Sequence, residues 1–116
     1  MIFKCVCAVT ILALSGCASS AMPPPAAVEA KTSISAAEAV GARNEPRAAL
    51  HLKMAKDQTA QAESSLRKGD DDDARLLLER AKVDAELALV LTREAEARRQ
   101  AEQSLAKVRE LEGSSK

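Results

Sequence analysis

The 116-residue chain has no tryptophan, no tyrosine and one phenylalanine, Phe3. Without aromatic bulk, its helices have little from which to build a concave ligand pocket. There are three cysteines, and Cys5 and Cys7 precede Cys17 in the first segment of the chain. If residues 1–16 leave, one thiol remains and no disulfide can form within a single chain. There is one histidine, His51, and the Glu-x-x-His pattern is missing because position 48 is alanine. A zinc or di-iron centre is therefore not expected. No glycine-rich phosphate loop occurs. Neither sign of charge dominates, with 17 Lys+Arg against 17 Asp+Glu, so there is no electrostatic case for nucleic acid. The apolar run Val6–Leu14 falls well short of the roughly 20 residues that span a bilayer. These absences predict a protein without cofactor or metal that is not an enzyme.

That short apolar run has a use of its own. Met1–Lys4 supplies one positive charge, the run follows, and small residues close it, which is the layout of a signal peptide. Its end, Leu14-Ser15-Gly16-Cys17, resembles the lipobox of bacterial lipoproteins. Small side chains admit the backbone to a protease, and the thiol is a nucleophile able to take a diacylglyceryl group. The resemblance implies that residues 1–16 are removed and that Cys17 becomes a lipidated N-terminus holding the protein to a membrane. Several acyl chains make such an anchor durable, since each buried CH₂ contributes about 0.8 kcal/mol. Ala18, where an aspartate would favour the inner membrane, points to the outer membrane, facing the periplasm.

Residues 17–33, with Pro23, Pro24 and Pro25, read as a flexible linker with a polyproline II stretch. Fully stretched, it would reach about 50 Å at about 3.3 Å per residue. A helical domain is expected over 34–112. Ser35-Ala36-Ala37-Glu38 fits a capping box, so a short helix is predicted over about 34–43, ahead of Pro46. A second is predicted over 46–68, where Ala48, Leu52, Ala55, Thr59, Ala62 and Leu66 share one face. Gly69 ends it and Asp70 opens the next. The third, over 71–112, has Ala74, Leu78, Ala81, Ala85, Ala88, Thr92 and Ala95 on one face. Two matched seams joined at Gly69-Asp70 predict an all-α fold: an antiparallel hairpin with a short N-terminal helix. The first helix is expected at the open base of the hairpin or along the overhang of the third. A flexible tail is expected over 113–116.

Other candidate sites have plain readings. Asp70–Asp73 are contiguous, whereas calcium loops spread their ligands over about a dozen residues, so capping and solvation account for them. His51 reads as solvated. Pairs four apart, among them Glu63 with Arg67, Arg75 with Glu79, Arg80 with Asp84, Lys82 with Glu86 and Glu94 with Arg98, are expected to support the helices by about 0.2–0.5 kcal/mol each. Lys116 follows Gly113-Ser114-Ser115. In this it resembles the Braun-type outer-membrane lipoprotein, an alanine-rich helix whose terminal lysine is bonded to peptidoglycan. The glycine-interrupted hairpin departs from that family's single helix, and a chance terminal lysine is the other reading.

Pro46-Arg47-Ala48-Ala49-Leu50, then Ala62, Leu66, Gly69-Asp70, Ala74, Ala81 and Asp84-Ala85-Glu86-Leu87-Ala88, resemble the domain of unknown function 4398 family over about residues 33–111. That family comprises bacterial envelope lipoproteins and exported proteins, some with an OmpA-like peptidoglycan-binding domain after the helices. The resemblance implies an envelope role and carries no catalytic residues. The expectation is a structural or adaptor lipoprotein, with a peptidoglycan tether through Lys116 as the alternative. Its partners would be the membrane, through the lipid, and a protein or peptidoglycan. Self-association is left open, because a small alanine-rich core buries little apolar area.

Overall fold

A computed structural model describes residues 24–115. Among the described residues there are three α-helices, α1 (Pro25–Ala39), α2 (Pro46–Lys68) and α3 (Asp71–Ser114), with a single 3₁₀ turn at Ala42–Asn44. No strand occurs among the described residues. The all-α hairpin is as expected, and α2 has the expected bounds. Cys17 and the rest of the lipobox (Leu14, Ser15, Gly16), together with Lys116, lie outside the described residues.

The first helix departs from expectation at both ends. It begins at Pro25 rather than near Ile34, so the second half of the expected linker is helical. Pro24 holds a polyproline II conformation (φ −52°, ψ 141°) as the N-cap and Pro25 occupies the first turn. A missing N–H costs nothing there. The Pro24 carbonyl accepts from Ala27 N at 2.8 Å and Val28 N at 3.3 Å. Ser35 is therefore interior to α1 and caps nothing. The seam is Ala27, Ala30, Ile34 and Ala37, all buried, spaced three and four apart like those of α2 and α3. The helix stops at Ala39 because Gly41, at φ +84°, takes the left-handed conformation. Glu45 is then extended (φ −103°, ψ 117°), as the residue before a proline must be.

The turn between α2 and α3 follows from Gly69 at φ +83°. Gly69 N donates to Leu66 O at 3.1 Å and Asp70 N to Ser65 O at 3.0 Å, the paired bonds of a Schellman motif. Asp70 is the N-cap residue of α3 but makes no side-chain capping bond; Asp71, Asp72 and Asp73 fill the first turn, favoured by the helix dipole. Ser65 Oγ donates to Asp73 Oδ2 at 2.6 Å and closes the turn from the other side. At its far end α3 runs through Gly113 to Ser114, two residues beyond the expected end.

Ala48, Leu52, Ala55, Thr59 and Ala62 of α2 are buried against Ala74, Leu78, Ala81, Ala85, Ala88 and Thr92 of α3. Among the described residues Leu78 is the one large side chain that is fully buried. The buried hydroxyls are satisfied locally, Thr59 Oγ1 by Ala55 O and Thr92 Oγ1 by Ala88 O, each at 2.8 Å.

α1 lies along the hairpin, mainly against α3, and neither at its base nor on the overhang. Its start sits by the turn, in a hollow shared with Leu66, Asp71 and Leu78, so it runs parallel to α3. Ion pairs stitch it down: Lys31 to Glu63 at 2.9 Å and Lys82 to Glu29 at 2.8 Å. Glu63 and Lys82 thus bond across helices rather than to Arg67 and Glu86. Only Arg75–Glu79 and Glu94–Arg98 form among the expected pairs named above.

Glu38 is held by two cations. Arg43 and Lys56 both bond to its Oε1, and the Arg43 hydrogen bond, followed by that of Lys56, lowers its pKa from 4.5 to about 2. The folded state prefers the ionised form, so this contact stabilises fully above about pH 4.5 and is lost as pH falls toward 2. Urea unfolding between pH 5 and pH 2.5 should show that loss, and Glu38→Gln should flatten it. Gly69→Ala puts a Cβ into open space but into a left-handed backbone. It should cost about 1 kcal/mol, read as a fall in Tm of about 4–8 °C.

Candidate functional site

Since α1 fills one groove of the hairpin, the other groove between α2 and α3 is uncovered. His51 and Gln58 of α2 and Asp84 of α3 meet there. Asp84 is three residues from Ala81 and one from Ala85, so it stands at the edge of the α3 seam; His51 and Gln58 similarly neighbour Leu52 and Thr59. His51 Nδ1 donates to Asp84 Oδ1 at 2.9 Å, and Gln58 Nε2 to Asp84 Oδ2 at 2.8 Å. Both carboxylate oxygens are thereby used between helices. His51 and Asp84 retain 27% and 17% of their side-chain exposure, which corrects the solvated reading of His51 and the expected Arg80–Asp84 pair. Helical spacing around His51 found no partner because the partner sits 33 residues away on another helix.

A histidine oriented by an aspartate is one part of a nucleophilic triad. Here no hydroxyl or thiol bonds to His51 among the described residues. The arrangement pins the hairpin register: one carboxylate bridges two points of α2 about two turns apart. Gln58 Oε1 is the one buried side-chain oxygen or nitrogen without a partner among the described residues.

Gly69 and Asp70 form the hairpin turn, where they were expected, and the turn contains no ligand-holding geometry beyond its own closure. Asp70, Asp71, Asp72 and Asp73 are exposed. No group of three or more His, Cys, Asp or Glu is placed to hold a metal among the described residues. No described helix is long and apolar enough to cross a membrane.

The remaining large feature is a surface. Beyond the partly buried Ala95, every described residue of α3 is exposed. This free length, residues 96–114, extends about 28 Å at 1.5 Å per residue. Leu105, Val108 and Leu111 are exposed on it, and Leu76, Val83, Leu87 and Val90 on the packed half of the same helix.

The class is therefore an all-α unit in which an alanine-seamed hairpin carries a parallel third helix on one side and an extended arm at one end. The chain belongs to the family described as Domain of unknown function (DUF4398), whose model matches residues 25–104. The match opens at the first residue of α1 and takes in the hairpin and part of the arm. No curated protein and no solved structure matches the chain.

Removing the shared carboxylate with Asp84→Ala leaves His51 and Gln58 without their partner. A loss of about 1–2 kcal/mol in urea unfolding is expected, whereas His51→Ala alone, which keeps the Gln58 bond, should lose less.

Proposed function

We propose that the chain is a lipid-anchored envelope protein whose helical unit serves as a structural or adaptor module on the periplasmic side of the outer membrane. The observation that carries this is Leu14-Ser15-Gly16-Cys17 at the end of a short apolar run. Family membership is consistent with an envelope role, as the resemblance implied. The start of α1 at Pro25 shortens the connection. Residues 18–24 span at most about 23 Å at about 3.3 Å per residue, so the helices work close to the bilayer surface. The partner in this reading is a protein or peptidoglycan, met by an exposed helical surface rather than by a pocket. No reaction is assigned, and the Asp84 cluster serves the fold.

A covalent wall link through Lys116 is the second reading. It draws support from α3, which carries Ser115 to the end of the molecule away from the start of α1. The two are tested together. Cys17→Ser should abolish labelling with radioactive palmitate and move the protein from the membrane to the soluble periplasmic fraction. A variant that still labels and still sediments with membranes rejects the anchor. Digestion of purified peptidoglycan that yields no muropeptide bonded to Lys116 rejects the wall link and leaves the anchor standing.

A further inference from the structure

The side of α3 turned away from its own hairpin carries a second seven-residue pattern. Leu76, Val83, Val90, Ala97, Ser104 and Leu111 recur every seven residues, and between them fall Arg80, Leu87, Glu94, Ala101 and Val108. At 100° per residue these lie roughly opposite the buried Ala74, Leu78, Ala81, Ala85, Ala88 and Thr92. None is covered: Leu76, Val83, Leu87, Val90, Val108 and Leu111 are 39–62% exposed. A helix with a heptad seam on both sides has a use for both, since a strict seven-residue repeat is the pattern of a coiled-coil contact.

We propose that this outer seam pairs with the same seam of a second copy, antiparallel, so that the arm of each copy lies along the outer side of the other's α3. Orientation follows from charge. A parallel, in-register pair would set Arg80 against Arg80 and Glu94 against Glu94 within the seam, which like charges oppose. Antiparallel pairing about a two-fold axis near residue 95 sets Arg80 against Leu111, Val83 against Val108, Leu87 against Ser104, Val90 against Ala101 and Glu94 against Ala97. Near the axis the two Glu94 lie about 4.5 Å apart along the helix, each neutralised by its own Arg98 at 3.1 Å, while Arg80 no longer meets Arg80. Along one flank Glu86 comes level with Lys107 of the second copy, and along the other Arg80 comes level with Glu112. None of Arg80, Glu86, Lys107 and Glu112 has an ion-pair partner among the described residues.

Length agrees with this orientation. The arm of each copy, residues 96–114, runs against residues 77–95 of the other, an equal stretch of about 28 Å. Leu105, 57% exposed, comes to the height of Asp84 and Leu87 of the other copy.

The pairing is tested by disulfide trapping in the full chain with Cys5, Cys7 and Cys17 replaced by serine. Val83→Cys and Val108→Cys are introduced in separate chains. Both positions are exposed, and circular dichroism checks that each variant keeps its helices. Mixed and mildly oxidised, the two variants should give a crosslinked dimer containing one of each, while either alone gives little, because residues 83 and 83 of an antiparallel pair lie about 37 Å apart. Sedimentation equilibrium of the serine-substituted chain should give twice the chain mass, and Val83→Glu with Val90→Glu should return it to one. Self-crosslinking of each variant alone would overturn the antiparallel arrangement. A chain of single mass at tens of micromolar, with no mixed crosslink, would overturn the pairing.

Discussion

The close contact of α2 with α3 along alanine seams is the constraint on which the rest of the molecule depends. Where both sides present methyl groups, helix axes approach nearer than leucine allows, and backbone-to-backbone dispersion replaces the interlocking of large side chains. The cost is that little apolar area is removed from water, with Leu78 the single large side chain fully enclosed among the described residues. Such a seam specifies register weakly, because one alanine is much like the next. Polar contacts supply the missing specificity. Asp84 ties two points of α2, Ser65 meets Asp73, and Glu38 gathers Arg43 and Lys56. Each joins positions distant in sequence or on opposite sides of a turn, and shifting the helices by one turn would break them together.

Much of this fold is legible in the chain. Pro46, Gly69 and the 4-3-4 spacing of α2 fix that helix to the residue, and the α3 seam is equally plain. What misleads is α1. Three consecutive prolines signal a spacer, yet the last of them only needs a fixed φ and no N–H to begin a helix. The seam that follows contains one residue larger than alanine, Ile34, in a segment where alanine, serine and threonine are common throughout, so periodicity stands out little from composition. Gly41 misleads in the opposite sense: within a helical pattern it looks tolerable, but its positive φ ends the helix. Ion pairs are the least legible. Lys82 and Glu63 have partners four residues away on paper, and both choose α1 instead. Spacing along one helix cannot weigh a competitor on another.

The two sides of α3 divide its tasks. One carries the seam that makes the hairpin fold; the other is apolar at the same period and plays no part in that folding. Substitutions such as Val83 or Val108 to a charged residue should therefore leave the fold intact while altering what the surface meets. The candidate site lies between these regimes. His51, Gln58 and Asp84 stabilise the hairpin from within, and they also form the floor of its uncovered groove.

The placement of the α1 start beside the hairpin turn has a mechanical consequence. Residue 24 enters the fold at the turn end, while Ser115 leaves it at the opposite tip of α3, and α1 and α3 run parallel. A pull between the two chain ends therefore slides α1 lengthwise along α3 rather than peeling it away. The buried contacts of Ala27, Ala30, Ile34 and Ala37 and the Lys82–Glu29 bridge share that load at once instead of failing one after another. A unit bound at one end and held at the other is, in this geometry, loaded in shear, the direction in which a long parallel helix contact resists best.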